Sequence, residues 1–424
     1  MFLRDLKPDR FWFPFGLHLA RLHQGSTLRN YALVAARFAR FLDSRNLDID
    51  EVQEADIVEY RLRRVRPDGI SLNSWRLDAT VIQAVFDYAL RQGDRTDIPW
   101  FQQGRRSALR QPSMYVPETR GLRDDEWAQF MHIGFLGRQP DGSLNPNFKM
   151  VWGMRNLAGA QLALSTGLRV QEFSSLLVPE ISTIAAGEGT HLTVQAVAKR
   201  GRRRTIFIPG GVLSRLGAYA RTDRASLLRH LGDRAPKRAD DVFIVEGWRT
   251  GSKRLSGYLH GRQQSFEMSA MPLDLRRKTF VQGERGLEPL ALFVNSWGRM
   301  TTTSTWHRAF KDASKYVASF EGTLPAAHDV HPHTLRHTFA RRYLVFLRRA
   351  ALESEYVDEW GDVDPIVVVQ RALGHANLAT TLRYLTGDPI SGAVEELFHL
   401  SNDAGEDFSH MIDRYIEERA GRND

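Results

Sequence analysis

Four short stretches of the chain carry side chains that could act on a phosphate. In "LSTGLRVQE" Gly167 breaks one helix, and Arg169 opens the next with Glu172 three residues on and on the same face. In "AKRGRRRTIFIP" Lys199 stands at the edge of a basic turn, from which a lysine can reach into a groove and donate a proton. In "HPHTLRHTFA" His333 and Arg336 share a helical face, while Leu335 and Phe339 lie toward another and can enter a core. In "ALGHANLATTLRYL" Gly374 can end a helix, His375 falls at the break, Asn377 can cap the next helix, and Tyr384 lies two turns into it.

Taken singly, each has an ordinary explanation. Arg169 and Glu172 make an intrahelical ion pair, Lys199 is a solvated turn lysine, His333 sits at a helix start, and Tyr384 is a core tyrosine. Together, two arginines, a lysine, two histidines and a tyrosine suit one job, phosphoryl transfer without a metal. The pentacovalent transition state gathers negative charge on its non-bridging oxygens, and two guanidinium groups can hold those oxygens bidentately without losing their protons. A phenol, with a reference pKa of about 10, becomes a nucleophile when a base or cationic surroundings help it ionise. A lysine can protonate the leaving alkoxide. A metal site on His328, His331 and His333 is the competing use of the histidines. It lacks the paired-histidine-plus-glutamate helix arrangement, and the chain has no cysteine.

Helical spacing dominates the segment that precedes these stretches. Leu28, Tyr31, Ala35, Phe38 and Leu42 recur at helical intervals over 26–46, behind Ser26 or Thr27 as N-cap. Further helices are expected over about 55–65 and 73–91, the first ending in the cluster Arg61, Arg63, Arg64 and Arg66. Such a cluster is a solvated face or a phosphate-contacting patch. The proline-containing, aperiodic stretch 104–119 reads as a connection. The expected division is an N-terminal helical domain 1–110, a linker 111–119 and a second domain 120–424, whose first helix starts near Asp124 and Asp125. Alternation over 190–209 predicts a β-hairpin with "KRGRRR" at its tip, led in by Thr193, Gln195 and Val197 and out by Thr205, Phe207 and Pro209. Residues 223–288 are charged, Gly-rich and weakly periodic, and read as an elaborated insertion; 390–424 reads as one or two amphipathic helices. The fold class is mainly α with a small β-sheet.

The chain's 424 residues exceed what one ordinary core serves, so two domains are expected. The absence of cysteine excludes disulfides, thiolate metal sites and a thiol nucleophile, and fits a cytoplasmic setting. No apolar run reaches the roughly 18 residues of a membrane span, and the first 25 residues do not resemble a secretory signal. The net charge of +8, mostly arginine, favours an anionic polymer as partner.

With these residues in view, the sequence resembles the tyrosine recombinases, the phage integrase family. "TGLRVQE", "HPHTLRHTFA" and "LGHANLATTLRY" look like its signature boxes, in the same order and spacing, with the histidine of "LGH" nine residues before the tyrosine as in bacterial members. The resemblance covers about 120–390 as the α+β catalytic domain, and the "TLRNY" helix is similar to the family's all-α core-DNA-binding domain. It implies Tyr384 as nucleophile, Arg169 and Arg336 as phosphate clamps with Glu172 in support, Lys199 as general acid, His333 as acid/base partner, and His375 as a hydrogen-bond donor to the scissile phosphate. It implies a 3′-phosphotyrosyl link, a free 5′-hydroxyl, no cofactor, metal or ATP, and double-stranded DNA as partner. A homotetramer on two DNA sites, with or without an accessory protein or second recombinase, would be the working assembly. Arg61, Arg63, Arg64, Arg200, Arg202 and Arg203 are the further DNA-binding candidates. Integration, excision, dimer resolution and transposition of a mobile element all fall within this chemistry. A type IB topoisomerase would use the same residues to relax DNA, and an inactive relative would only bind it. Two features depart from compact members: a longer hairpin turn and the insertion at 223–288.

Overall fold

The chain divides into two units, Met1–Pro117 and Glu118–Asp424. The computed structural model describes residues 3–4, 7–23, 25–65, 69, 72–100, 109, 121–148, 152–181, 189–231, 241–283, 286–353 and 364–385; for Arg200 and Tyr384 this means the backbone alone. Arg66, the expected linker 111–119 and the expected helices of 390–424 lie outside the described residues.

The first unit is helical apart from a short antiparallel pair, β1 (Leu3–Arg4) and β2 (Lys7–Pro8). Its helices are α1 (Trp12–Leu22), α2 (Gly25–Asp43), α3 (Glu54–Arg64) and α4 (Leu72–Gln92). Ala35, Phe38 and Leu42 of α2 are buried as their spacing predicts, against Ile57 and Tyr60 of α3 and Trp75, Val81, Val85 and Phe86 of α4. α1 carries a weak helix signal, because Pro14 and Gly16 are poor helix formers. Pro14 falls in the first turn, where its missing N–H has no intrahelical acceptor. Asp9 Oδ1 accepts from the Trp12 amide at 2.7 Å, and Phe15 and Leu19 pack into the core. Part of the basic cluster on α3 is committed within this unit. Arg64 donates to the buried Asp78 at 2.8 Å, and Arg63 pairs with Glu59 at 2.5 Å.

The second unit is built round α6 (Gly153–Thr166), whose small and apolar residues are buried on nearly every side. Ahead of it runs α5 (Asp124–Gln129), continued by a π-helical turn over Phe130–Phe135. After it come α7 (Val170–Ser174), α8 (Val178–Ile181) and the antiparallel hairpin of β3 (Thr190–Val194) and β4 (Arg204–Ile208). The inward face of the hairpin is Leu192 and Val194 on one strand and Arg204, Ile206 and Ile208 on the other; Thr193 and Thr205 pair on the outside. Gln195 and Val197, expected to extend the first strand, instead belong to the connection 195–203.

Then follow α9 (Gly210–Tyr219) and α10 (Ala225–Leu231). The stretch 223–288, read as an elaborated insertion, holds most of a five-stranded sheet: β5 (Phe243–Gly247), β6 (Arg254–Leu259), β7 (Arg262–Glu267), β8 (Thr279–Gly283) and β9 (Gly286–Pro289), with α11 (Leu273–Arg277) before β8. The order is β7-β6-β5-β8-β9, antiparallel except for β5 against β8. Its inner face has a core of its own, with Phe243, Val245, Leu255 and Met268 buried. Alternation was hard to see because the strands are short and β5 is bulged between Val245 and Gly247. A buried bidentate pair, Arg276 to Glu180 at 2.7 and 2.8 Å, ties this sheet to α8.

Removing one partner of such a pair strands a buried charge. Arg276→Ala should therefore cost about 3–5 kcal/mol, whereas Arg276→Met with Glu180→Leu should cost far less. Urea denaturation of the three proteins checks this; equal losses in both variants would show that the pair contributes packing alone.

The described part of the unit ends with α12 (Thr303–Val317), α13 (Pro332–Glu353), α14 (Pro365–Leu373) and α15 (Leu378–Leu385). No described helix is long and apolar enough to cross a membrane.

Candidate active site

The site forms where three helix ends meet. α6 stops at Gly167, whose φ of 63° lies in the left-handed region. A Cβ there would come within 2.4 Å of the Phe339 ring, so both conformation and space require glycine. The chain turns through Leu168 into Arg169, the N-cap of α7. Glu172 accepts from the Arg169 amide at 2.8 Å and from its guanidinium at 3.2 Å, which realises the pair read from the spacing. The same carboxylate takes both terminal nitrogens of Arg204 at 3.0 and 2.5 Å. Burial alone would raise the Glu172 pKa; the bonds from Arg204 and Arg169 outweigh it and hold the carboxyl below its ordinary value.

α13 supplies the next group. His331 precedes its first turn, and its Nδ1 accepts from the Thr334 amide at 3.0 Å, so this histidine caps the helix. One turn on, Arg336 is wholly buried. It donates to the carbonyls of Gly167 and Leu373, the latter at 2.6 Å, and to His375 Nε2 at 3.0 Å. A guanidinium can only donate, so His375 Nε2 is an acceptor and Nδ1 carries the proton toward Thr381 Oγ1, 3.0 Å away. That bond joins the end of α14 to α15, the helix that carries Tyr384 one turn after Thr381. Gly374 ends α14 in the left-handed conformation expected of it.

Arg169, Arg336, His333 and His375 thus share one neighbourhood. His333 remains largely at the surface, its ring perpendicular to that of His337 at 4.6 Å between centroids. Burial of its inner edge, then the charges of Arg336, His331 and Arg169, bring its pKa down to about 4. Burial comes first for His375 as well, followed by Arg336, Arg169 and Arg204, and brings it to about 3. His337 is lowered to about 3 by burial and by its histidine and arginine neighbours. All three are neutral at pH 7. Lys199 stands exposed in a 3₁₀ turn, Lys199–Gly201, at the hairpin tip. Among the described residues no hydrogen bond or ion pair brings it into the cluster. Arg202 and Arg203 are exposed on the same tip.

Two of the three histidines of the competing metal reading are otherwise engaged. His328 Nε2 lies 2.7 Å from Thr323 Oγ1, and His331 caps α13. Arg204, which binds Glu172, is a neighbour of the cluster that the motifs do not point to. It was hidden in an arginine run, yet its period-two alternation with Ile206 and Ile208 marks it as inward-facing.

A histidine that is harder to protonate when folded makes stability depend on pH. For the buried His337 and His375 the contribution is complete above the unfolded value of 6.5 and is lost as pH falls toward about 3. Going from pH 7.5 to 5 should cost about 2–4 kcal/mol and several degrees of melting temperature. His337→Gln should remove about half of that slope; an unchanged slope would acquit His337.

Residues 147–345 match the model of the phage integrase family. The chain is similar in structure to the XerH site-specific recombinase bound to palindromic difH substrate, a post-cleavage complex, at TM-score 0.50 and 16% identity over 89% of this chain and 78% of that one. It is equally similar to the Tn1549 transposon integrase in complex with circular intermediate DNA, at TM-score 0.50 and 16% identity over 91% of this chain and 99% of that one. No curated protein matches the chain. The family match lies across the boxes that hold Arg169, Lys199 and Arg336, so residues 147–345 form a domain that matches the phage integrase family, and the mainly helical fold is like that of these recombinases.

Proposed function

We propose that this chain is a site-specific DNA recombinase or integrase that cuts and rejoins strands through a 3′-phosphotyrosyl intermediate on Tyr384. The observation that carries the reading is the convergence of Arg169, Arg336, His333 and His375 on the Gly167 turn, beside the helix that bears the tyrosine. The two arginines hold the non-bridging oxygens of the scissile phosphate. Arg169, whose side chain is 26% exposed, meets the phosphate first; Arg336 is reached once the residues above it move. His333 is uncharged at neutral pH and so in the form that accepts the tyrosine proton. His375, its Nε2 now facing Arg336, donates to the phosphate only after protonation or a ring turn. Lys199 protonates the departing 5′-oxygen. The phosphotyrosyl bond keeps the energy of the broken link, and a partner strand's 5′-hydroxyl reverses the attack. The substrate is double-stranded DNA, and two synapsed sites call for four protomers.

The test is covalent trapping. The protein is incubated with supercoiled DNA carrying its own genomic flanks, with EDTA present, and quenched in detergent. A protein–DNA adduct with a free 5′-hydroxyl is expected. A 5′-linked adduct, or cleavage with no adduct, would sink the mechanism. Relaxation of plasmid with no joining of two sites would move the chain to type IB topoisomerase chemistry.

A further inference from the structure

We propose that Arg204 is a positioning residue for protonation of the leaving group: it fastens the hairpin that carries Lys199 to the helix of Arg169 and the turn of His375. The inference rests on the reading of Lys199 as general acid.

Lys199 has a long side chain on an exposed tip, so its usefulness depends on how firmly residues 195–203 are held. Val197 and Ala198 pack into the core, and among the described residues three hydrogen-bonded attachments hold the segment or its edge. Gln171 Nε2 donates to the Val197 carbonyl at 3.3 Å. The Ala196 amide donates to the Ser269 carbonyl, in the turn after β7, at 2.9 Å. Both are single neutral bonds on the ascending side. On the descending side stands Arg204, its side chain 5% exposed, bound to Glu172 through both terminal nitrogens and to the Ala372 carbonyl through Nε at 3.1 Å. A charge-assisted fork of this kind is the strongest and most directional of the three. The stem of Arg204 also fills the space beside Gly374, where an added Cβ would lie 3.0 Å from its Cδ. One side chain therefore touches the partner acid of Arg169 and the turn that delivers His375, five residues from Lys199.

Arg169 depends less on this contact, because Glu172 binds its backbone amide directly and caps α7 from within. Loss of Arg204 should consequently fall on the lysine. In the normal step the Tyr384 oxygen attacks phosphorus, the P–O5′ bond breaks, and the alkoxide takes the Lys199 proton. When sulfur replaces the bridging 5′-oxygen, the P–S bond breaks and a thiolate leaves. A thiolate is a much weaker base and departs without a proton.

The full-length protein, Lys199→Ala and Arg204→Lys are compared in single-turnover cleavage of duplexes bearing the sequence mapped by trapping, with oxygen or sulfur at the bridging position. Lys199→Ala should be slowed by roughly 100-fold or more on oxygen and approach the unaltered protein on sulfur. Arg204→Lys keeps a cation against Glu172 but loses the fork; it should be slowed by about 10- to 100-fold on oxygen and be restored by sulfur. If Lys199→Ala is not restored, the reading of Lys199 fails. If it is restored and Arg204→Lys is slow on both substrates, or fast on both, the role of Arg204 is overturned. Melting and DNA affinity show whether Arg204→Lys folds; if it does not, Arg204→Gln takes its place under the same criteria.

Discussion

Replacing Tyr384 with phenylalanine is expected to abolish the covalent adduct, a loss of at least about 10⁴-fold in cleavage, with DNA affinity changed by no more than about twofold. The change removes one oxygen and keeps the ring, so α15 and its bond to the His375 turn through Thr381 should survive. No neighbouring group replaces the nucleophile. In the described cluster the guanidinium groups only donate, and both ring nitrogens of His375 are committed. Trapping with phosphorothiolate duplexes gives the cleanest readout, because released thiol also reports cleavage without an adduct. Adduct formation by Tyr384→Phe would assign the nucleophile elsewhere.

Arg336→Ala should do two things at once. Cleavage should fall by about 10³-fold or more, because a charge that stabilises the transition state inside a dry site is lost. The protein should also lose about 2–4 kcal/mol, since the Gly167 and Leu373 carbonyls and His375 Nε2 all lose a buried donor. Arg169→Ala separates these effects. Its side chain is partly exposed and its amide stays capped by Glu172, so its stability cost should be smaller while the loss in cleavage is comparable. Stopped-flow cleavage beside urea denaturation checks both. If Arg336→Ala cleaves normally once folded, the residue is a structural tie and not a clamp.

The parts of this molecule that were legible in sequence are those set by neighbours in the chain. The faces of α2, α3 and α4 follow from apolar spacing, and the turns at Gly167 and Gly374 follow from glycine beside a helical pattern. The boxes around Arg169, His333 and His375 are local too, so their chemistry could be inferred before any fold. Long-range pairing was not visible. Arg336 looked like one charge on a helix face, and only the meeting of α6, α13 and α14 shows it buried among carbonyls. Arg204 lay in a run of like residues, where charge suggested DNA and strand alternation pointed inward. The inserted sheet was obscured by short strands, one bulge and a parallel pairing of β5 with β8 across an intervening hairpin.

The carbonyls that seat Arg336 come from residues 169 positions before it and 37 after it. During synthesis, therefore, the earlier half of the seat waits for the later half, and closing so wide a separation is slow. A ribosome that stalls or a protease that cuts before Leu373 leaves a polypeptide with Arg169 and Arg336 but no completed seat, no His375 and no Tyr384. On the function proposed above, placing the last pieces of the site late in the chain makes unfinished copies harmless.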